Sequence, residues 1–188
     1  MRIIAGQFKG RKLFTPEDAS TIRPTSDRAR EAIFNLLMHG KYAGEAIRDQ
    51  HVVDLCCGTG ALGLEALSRG ARMATFVDQD KRSIALAKQN ALHCNISAAA
   101  HFVQCSVSHL PPAREPAALV LMDAPYATPL LPDAYSSLRA GGWLAAGALL
   151  ATEHPCNAEP PLLPDATLQE ARQYGKAKWL IYQVASVS

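Results

Sequence analysis

The sequence contains no long run of apolar residues. A helix that crosses a membrane needs about 18 to 20 such residues in succession, and the stretch from Trp143 to Ala151 is interrupted by Gly147. The first six residues carry one positive charge but are followed by no long hydrophobic region and no small-residue cleavage pattern, so no secretory signal is predicted. We therefore expect a soluble, cytoplasmic protein that has no membrane partner.

Metal-ligand patterns are also lacking. The five cysteines include no C-x-x-C pair, and the six histidines show no ligand spacing, so neither a zinc site nor a redox motif is indicated. Buried thiols are the favoured interpretation of the cysteines. With 188 residues, of which 48% are hydrophobic, the chain is expected to build its own continuous core. We also expect a monomer that binds no metal.

Acidic residues are scarce at the beginning of the chain. Residues 1–30 hold seven basic side chains against three acidic ones, a net charge of +4, which leaves −2 for the remainder. Lys and Arg displace counterions from a polyanion, so this segment is a candidate phosphate-contacting surface, with a solvated face as an equally weighted alternative. The candidate contacts are Lys9, Arg11, Lys12, Arg23, Arg28 and Arg30.

The first 45 residues predict a hairpin followed by a helix. The strand-like runs Arg2–Gly6 and Arg11–Thr15 flank a glycine-containing turn. A helix-start signal at Pro24–Asp27 then precedes apolar residues at helical spacing. We interpret residues 1–45 as a basic extension and residues 46–188 as the main domain.

From residue 51 onward, apolar strands alternate with helical segments, which indicates a doubly wound, mostly parallel α/β sheet of Rossmann-like type. The predicted strands are His51–Cys57, Met73–Val77, His101–Cys105, Ala118–Met122 and Leu149–Glu153, and the predicted helices lie near Ala61–Arg69, Lys81–Cys94 and Leu130–Arg139. Thr167–Gln173 and Lys178–Ala185 predict an antiparallel hairpin at one edge. The expected total is seven strands.

A glycine loop follows the first of these strands. Gly58, Gly60 and Gly63 fit the G-x-G-x-x-G fingerprint, whose glycines let the backbone approach a ligand. Asp78 lies 20 positions after Gly58, where a carboxylate accepts hydrogen bonds from ribose hydroxyls. A nucleoside-bearing cofactor is therefore indicated. Asp54 favours S-adenosylmethionine over NAD, because its charge attracts ammonium and sulfonium groups and repels a pyrophosphate.

An NAD oxidoreductase is the alternative from a different class of enzyme. Tyr174 and Lys178 match the Tyr-x-x-x-Lys spacing of short-chain dehydrogenases. Those two residues must share one face of a helix, and Gly175 in a predicted strand-turn segment argues against a helix. We interpret this match as accidental.

A second polar turn follows the apolar strand Leu119–Met122, at the edge of the sheet where open α/β proteins place their sites. Its residues are Asp123, Ala124, Pro125 and Tyr126. Asp123 and a backbone carbonyl of this turn can accept the N–H bonds of an exocyclic amine and hold its nitrogen toward a methyl donor. Tyr126 can stack on an extruded base, and Pro125 fixes the backbone between them. The turn therefore predicts methylation of a base amino group.

These two turns resemble those of class I amino-group methyltransferases with an Asp/Asn-Pro-Pro-Tyr/Phe motif. More closely, the chain resembles the bacterial small-subunit (16S) ribosomal RNA guanine-N2 methyltransferases. The likeness is carried by Met1–Gly6, Lys9–Leu13, Arg23–Glu31, Phe34-Asn35 and Gly60–Arg69. Two residues depart from the pattern. Ala124 replaces the first proline of the motif, and Ser106 stands where many class I enzymes carry Asp or Asn near adenine.

The resemblance implies methyl transfer from S-adenosylmethionine to guanine N2 in ribosomal RNA, within a small-subunit particle. The predicted catalytic residues are Asp123, Pro125 and Tyr126, and the predicted cofactor pocket contains Thr25, Asp54, Cys56, Gly58, Gly60, Asp78 and Ser106. Adenine-N6 methylation of DNA or RNA is one alternative. A non-catalytic RNA-binding or assembly protein on the same fold is another, against which Asp123 and Tyr126 argue.

Overall fold

Seven strands form one mixed sheet with helices on both faces in the computed structural model, which describes residues 1–16, 27–124, 130–175 and 177–185. The helices are α1 (Asp27–Met38), α2 (Ala61–Ser68), α3 (Lys81–His93) and α4 (Leu131–Ala140). The strands are β1 (His51–Leu55), β2 (Met73–Asp78), β3 (Ala100–Gln104), β4 (Ala117–Met122), β5 (Leu144–Pro155), β6 (Ala166–Tyr174) and β7 (Ala177–Val184). Their order is β3-β2-β1-β4-β5-β7-β6, and the pairs that include β7 are antiparallel. The predicted mostly parallel seven-stranded sheet is confirmed.

Two strands differ from the prediction by two or more residues at an end, and backbone conformation explains where β1 ends and β5 begins. β1 ends at Leu55 rather than at Cys57, because Cys56 adopts a left-handed φ of 56°. β5 begins at Leu144 rather than Leu149 and carries Gly147 at φ 72°. Its register with β4 shifts across this segment, which indicates a bulge. The bulge lets β5 continue on both sides of Gly147, the glycine that interrupts the apolar run.

Each face of the sheet has its own apolar core. One core gathers buried residues of the amino-terminal arm (residues 1–16), α1, α2 and α3, including Ile3 and Phe34. The other packs α4, with Tyr135 and Leu138, against the opposite face. The arm and α1 therefore bury apolar residues in the same core as the glycine-loop helix, and the predicted domain boundary after residue 45 stays a prediction.

The arm returns on itself beside α2 and is held there by a buried carboxylate. It pairs at one antiparallel bridge, Arg2 with Lys12, so a returned arm is observed and the regular two-stranded hairpin stays a prediction. Glu65 of α2 is fully buried and accepts the backbone N–H groups of Ile4 (2.8 Å) and Ala5 (3.0 Å). Arg69 donates to the same carboxylate at 2.7 Å. The arm is thus fixed to the helix that starts at the glycine loop.

All five cysteines lie within the described residues and are free thiols. Across the ranges that the structure describes, no three His, Cys, Asp or Glu side chains gather in a group that could hold a metal. Within those same ranges, no helix is long and apolar enough to span a bilayer.

Candidate active site

Acidic side chains from four neighbouring strands meet at the carboxyl edge of the sheet. They are Asp54 in β1, Asp78 at the end of β2, Asp123 directly after β4 and Glu153 in β5. Leu55, the last residue of β1, pairs with both β2 and β4, so the turn that leaves β1 lies between Asp78 and Asp123. Open α/β sheets bind ligands at this edge.

The turn after β1 forms a cradle of backbone. Cys56, Gly58 and Gly60 all have positive φ, at 56°, 51° and 77°, a region that non-glycine residues seldom adopt and that is found at functional sites. A Cβ built on Gly58 would meet no atom closer than 4.0 Å. Open space therefore adjoins the backbone at Gly58, as a cradle for a ligand requires.

The third glycine of the fingerprint has a packing role. A Cβ on Gly63 would lie 2.4 Å from Cε1 of Phe76, a buried residue of β2. The Gly63 N–H donates to Oδ2 of Asp54 at 2.8 Å. Gly63 therefore lets α2 approach the sheet closely, which matches the packing role of the last glycine in such fingerprints.

Asp78 ties the glycine loop to the end of β2. Its Oδ2 accepts the N–H of Gly58 at 3.0 Å, and its Oδ1 accepts the N–H of Asp80 at 2.9 Å. Each carboxylate oxygen has a further lone pair, so Asp78 can still accept bonds from ribose hydroxyls. The predicted ribose contact fits this placement.

Asp54 is buried beneath the glycine loop and is not exposed at the surface of the site. It is 1% exposed, and burial raises its pKa well above the ordinary range, with the negative charges of Asp123 and Asp78 adding to the effect. Its bond to Gly63 anchors α2 to β1. The predicted attraction to a cationic cofactor would act from beneath the glycine loop.

Burial also keeps the two adjacent thiols neutral. It raises the pKa of Cys56 to about 12, with further contributions from Asp78, Asp54 and Asp123. The pKa of Cys57 is raised in the same way. The thiolate is the nucleophilic form of cysteine, so neither residue is suited to nucleophilic catalysis, and Cys56 lines the loop through its backbone.

Asp123 stands beside a second carboxylate that sequence reasoning missed. Burial raises the pKa of Asp123, and the negative charge of Glu153 raises it further. Met122 pairs with Thr152 in the parallel register, so these two acids follow at neighbouring positions of adjacent strands. Glu153 falls inside a predicted strand; its position as an acid at the carboxyl end of that strand is the signal that could have identified it.

The remaining predicted site residues are divided between described and undescribed segments. Ser106 follows β3, and its Oγ accepts the N–H of Ser108 at 3.3 Å. The predicted contacts Arg23, Thr25, Pro125 and Tyr126 lie outside the described residues.

The basic residues of the extension differ in exposure. Lys9, Lys12 and Arg28 are exposed, whereas Arg11 is half-buried over the ring of Phe8. Arg30 departs from the predicted surface cation: it is fully buried and donates to Asp27 (2.8 Å) and to the carbonyl of Arg2 (2.6 Å).

The sequence carried a signal for the burial of Arg30. It stands three, four and seven positions before the buried Ile33, Phe34 and Leu37, so it shares the apolar face of α1. Arg30 therefore holds the arm against α1 and is not available at the surface for a phosphate contact.

The structure excludes the helical Tyr-x-x-x-Lys arrangement on which the dehydrogenase alternative depended. Tyr174 ends β6 and Lys178 lies in β7, and the two strands pair antiparallel across Gly175. The Nζ of Lys178 donates to the carbonyl of Ala158. No shared helical face exists at this described position, so the Tyr-x-x-x-Lys match is accidental.

Comparison with known proteins identifies relatives over nearly the full chain. The family model described as conserved hypothetical protein 95 matches residues 1–183. Ribosomal RNA small subunit methyltransferase D of Escherichia coli K12 is 34% identical over 184 residues, covering 97% of this chain and 89% of that protein. The Haemophilus influenzae protein of the same name is 34% identical over 188 residues, covering 97% and 93%.

A solved structure agrees with these sequence matches. The Escherichia coli protein yhhF superimposes with a TM-score of 0.84 and 33% identity, covering 100% of this chain and 99% of its own. The resemblance predicted from the two turns and the amino-terminal segment is thereby confirmed. The chain belongs to the conserved hypothetical protein 95 family, together with the small-subunit ribosomal RNA methyltransferases D, and has the class I methyltransferase fold.

Proposed function

We propose that this protein transfers a methyl group from S-adenosylmethionine to the exocyclic N2 amine of a guanine in small-subunit (16S) ribosomal RNA. The observation that carries the proposal is the position of Asp123, which follows β4 beside the open glycine cradle of β1. Family membership and the name of the relatives support the RNA substrate.

The residues of the β1 corner fit S-adenosylmethionine. Open space at Gly58 leaves room for a ligand against the backbone, and Asp78, which accepts the N–H of Gly58, supplies an acceptor for ribose hydroxyls. Asp54 and Asp123 have raised pKa values because burial and neighbouring negative charges disfavour their ionisation, and ammonium and sulfonium groups bound beside them would favour the charged forms. When bound, S-adenosylmethionine supplies the methyl group, and transfer forms the N–C bond as the C–S bond breaks with its electron pair remaining on sulfur.

The acceptor chemistry falls to Asp123. A guanine N2 amine is a weak nucleophile because its lone pair is delocalised into the ring. A carboxylate that accepts one N–H bond holds the nitrogen in place and favours the pyramidal geometry in which the lone pair can attack. After transfer the nitrogen loses one proton along this hydrogen bond, and Asp123, whose pKa is raised, passes the proton to water.

Two further residues of the motif complete the proposed site. Tyr126 stacks on the extruded guanine, an interaction worth about 1 to 3 kcal/mol, which is comparable to the cost of removing a base from its stack. Pro125 sets the backbone between the acceptor and the stacking ring. Thr25 and Ser106 contribute to the cofactor pocket.

The exposed cations of the extension serve as the RNA-contacting surface. The backbone N–H groups of Gln7 and Phe8 donate to Ser68, the last residue of α2. Lys9 therefore lies about one length of this eight-residue helix, roughly 12 Å, from the glycine loop. Lys9, Lys12 and Arg28 would then contact RNA that extends away from the reacting base.

The direct test is methylation of ribosomal RNA from cells that lack the protein. Small-subunit particles and naked ribosomal RNA are each incubated with radiolabelled S-adenosylmethionine, and the digested RNA is analysed for N2-methylguanosine. We expect label in N2-methylguanosine with the parent and little with Asp123→Asn. Label in N6-methyladenosine would establish the adenine alternative instead, and RNA binding without any label would establish the non-catalytic one.

A further inference from the structure

Glu153 lies directly beside Asp123, the proposed hydrogen-bond acceptor for the guanine N2 amine. β4 and β5 run parallel with Met122 opposite Thr152, so Asp123 and Glu153 follow at neighbouring positions on strands about 4.8 Å apart. Two residues earlier, Leu121 and Ala151 both belong to the core beneath α1, α2 and α3. Because side chains alternate along a strand, Glu153 is directed toward that same face, and its charge acts on Asp123, the residue that follows β4.

Trp179 adds an independent polar group to this corner. It pairs with Glu153 across the antiparallel β5–β7 register and is 0% exposed. Its buried indole N–H has no hydrogen-bond partner in the described chain. Buried donors are normally bonded, and an indole N–H can only donate, so this corner holds a donor that can fix one oxygen of a neighbouring carboxylate when the site is filled.

The edge of guanine matches two adjacent carboxylates. Guanine presents N1–H and N2–H side by side, and both are donors. Adenine presents its N6–H donors next to N1, which is an acceptor and would meet the lone pairs of a second carboxylate. We propose that Glu153 accepts the N1–H of the target guanine while Asp123 accepts from its N2 amine, so that Glu153 selects guanine; this inference rests on the proposed function.

The electrostatics of the β4–β5 corner agree with this assignment. Burial and the charge of Glu153 raise the pKa of Asp123, so the two carboxylates resist being ionised together. A base that offers one N–H to each relieves this repulsion, because each negative oxygen then gains a donor. A base with an acceptor at N1 leaves one carboxylate facing a lone pair.

The test compares two bases at the guanine that the labelling experiment identifies. Small-subunit RNA is prepared with guanine or with 2-aminopurine there; the analogue keeps the 2-amino group but has no hydrogen on N1. Single-turnover methylation is measured for the parent, Glu153→Gln, Glu153→Asp and Glu159→Gln. Glu159 is exposed in the loop after β5, so its substitution is a matched control for removal of one charge.

We expect the parent to prefer guanine over 2-aminopurine by about 10- to 100-fold, the discrimination typical of a well-placed polar contact to a base. Glu153→Gln should lower this ratio at least about 10-fold, since an amide can also donate to an unprotonated N1. Glu153→Asp and Glu159→Gln should keep the preference. The missing O6 of the analogue affects every variant alike and cancels in the comparison.

The outcomes separate this inference from the proposed function. A parent that methylates guanine N2, with a ratio unchanged in Glu153→Gln, overturns the role of Glu153 and leaves the proposed function standing. A parent that never methylates guanine N2 overturns both. If Glu153→Gln is folded by circular dichroism but too slow to assay, competition binding of the two RNAs gives the ratio, and an unchanged value again rejects the proposal.

Discussion

The two acidic corners of the site are built in opposite ways. At the β1–β2 corner the carboxylates of Asp54 and Asp78 accept backbone N–H groups of Gly63, Gly58 and Asp80. At the β4–β5 corner the dominant influences on Asp123 are burial and the negative charge of Glu153. The first corner is held by these backbone bonds before any ligand arrives, whereas at the second a base that brings donors would relieve the repulsion between Asp123 and Glu153.

The contrast between the two corners indicates which one binds the cofactor and which one binds the base. A cofactor that is used in every turnover benefits from a preorganised cradle, because little ordering is then required on binding. A base that must be extracted from RNA is better recognised by groups whose repulsion it relieves, since a base without paired donors gains less there. Substitutions at the two corners should therefore affect different measurements.

The largest effect is expected at Asp123. Asp123→Ala or Asp123→Asn should lower single-turnover methylation by about 10²-fold or more, since positioning and a charge-assisted bond to the amine are both weakened. Affinity for S-adenosylmethionine, measured by calorimetry, should change much less. Rates within a few-fold of the parent for both variants would show that Asp123 does not accept the amine.

Asp78 should show the complementary pattern. Asp78→Ala removes charge-assisted bonds to ribose hydroxyls, each worth about 1.5 to 3 kcal/mol, so the affinity for S-adenosylmethionine should fall about 10- to 100-fold. Asp80→Ala is the matched control, because Asp80 caps α3 through the N–H of Arg82 and makes no predicted cofactor contact. Equal decreases in affinity in the two variants would assign Asp78 a structural role only.

The pH dependence should distinguish the corners more finely. The raised pKa of Asp123 means that the accepting carboxylate forms only as pH rises, so single-turnover rates should increase from neutral to alkaline pH. Glu153→Gln removes a negative charge and should move this rise to lower pH. A profile that Glu153→Gln leaves in place would contradict the pairing of these two acids.

The same raised pKa has the opposite sign for stability. The folded protein keeps a proton on Asp123 at pH values where the unfolded chain has released it. The contribution of this group to the free energy of unfolding therefore falls as pH rises from the ordinary carboxyl pKa through the raised one. Denaturant titrations of the parent and Asp123→Asn at several pH values would measure this difference.

The smallest effect is expected at the basic side chains of the arm. A Lys9/Arg11/Lys12 triple alanine variant should bind RNA more weakly, with the log-log salt slope reduced by about 0.7 to 0.9 for each phosphate that the variant no longer neutralises. Its affinity for S-adenosylmethionine should stay near that of the parent. Arg114→Ala is the control, because Arg114 is exposed just before β4 and no RNA contact is predicted for it. Equal slopes of log affinity against log salt concentration for the parent and the triple variant would place the RNA surface elsewhere.

Sequence reasoning identified what local patterns encode. The glycine fingerprint, the strand-helix alternation and Asp123 at the end of an apolar strand are all local signals, and each was found in its predicted place. The packing role of Gly63 was not predictable in this way, because it depends on the ring of Phe76 in the next strand.

Glu153 was missed for a related reason. Its meaning depends on β4 and β5 being neighbours in the sheet, although α4 separates them in the chain. The extent of β5 likewise depends on pairing with β4, which tolerates the positive φ of Gly147 through a bulge. The role of Glu153 and the extent of β5 therefore depend on strand pairing between segments that are distant in the sequence, which local patterns do not reveal.

The bonds between the amino-terminal arm and the buried Glu65 limit how RNA binding can be studied. Deleting the arm would remove the N–H groups of Ile4 and Ala5 from the buried Glu65 and uncover the core beneath Ile3. Removing the donors of a buried carboxylate is strongly destabilising. The first residues of the chain thus support α2, the helix that follows the glycine loop. A truncated enzyme would lose its cofactor pocket along with its RNA surface.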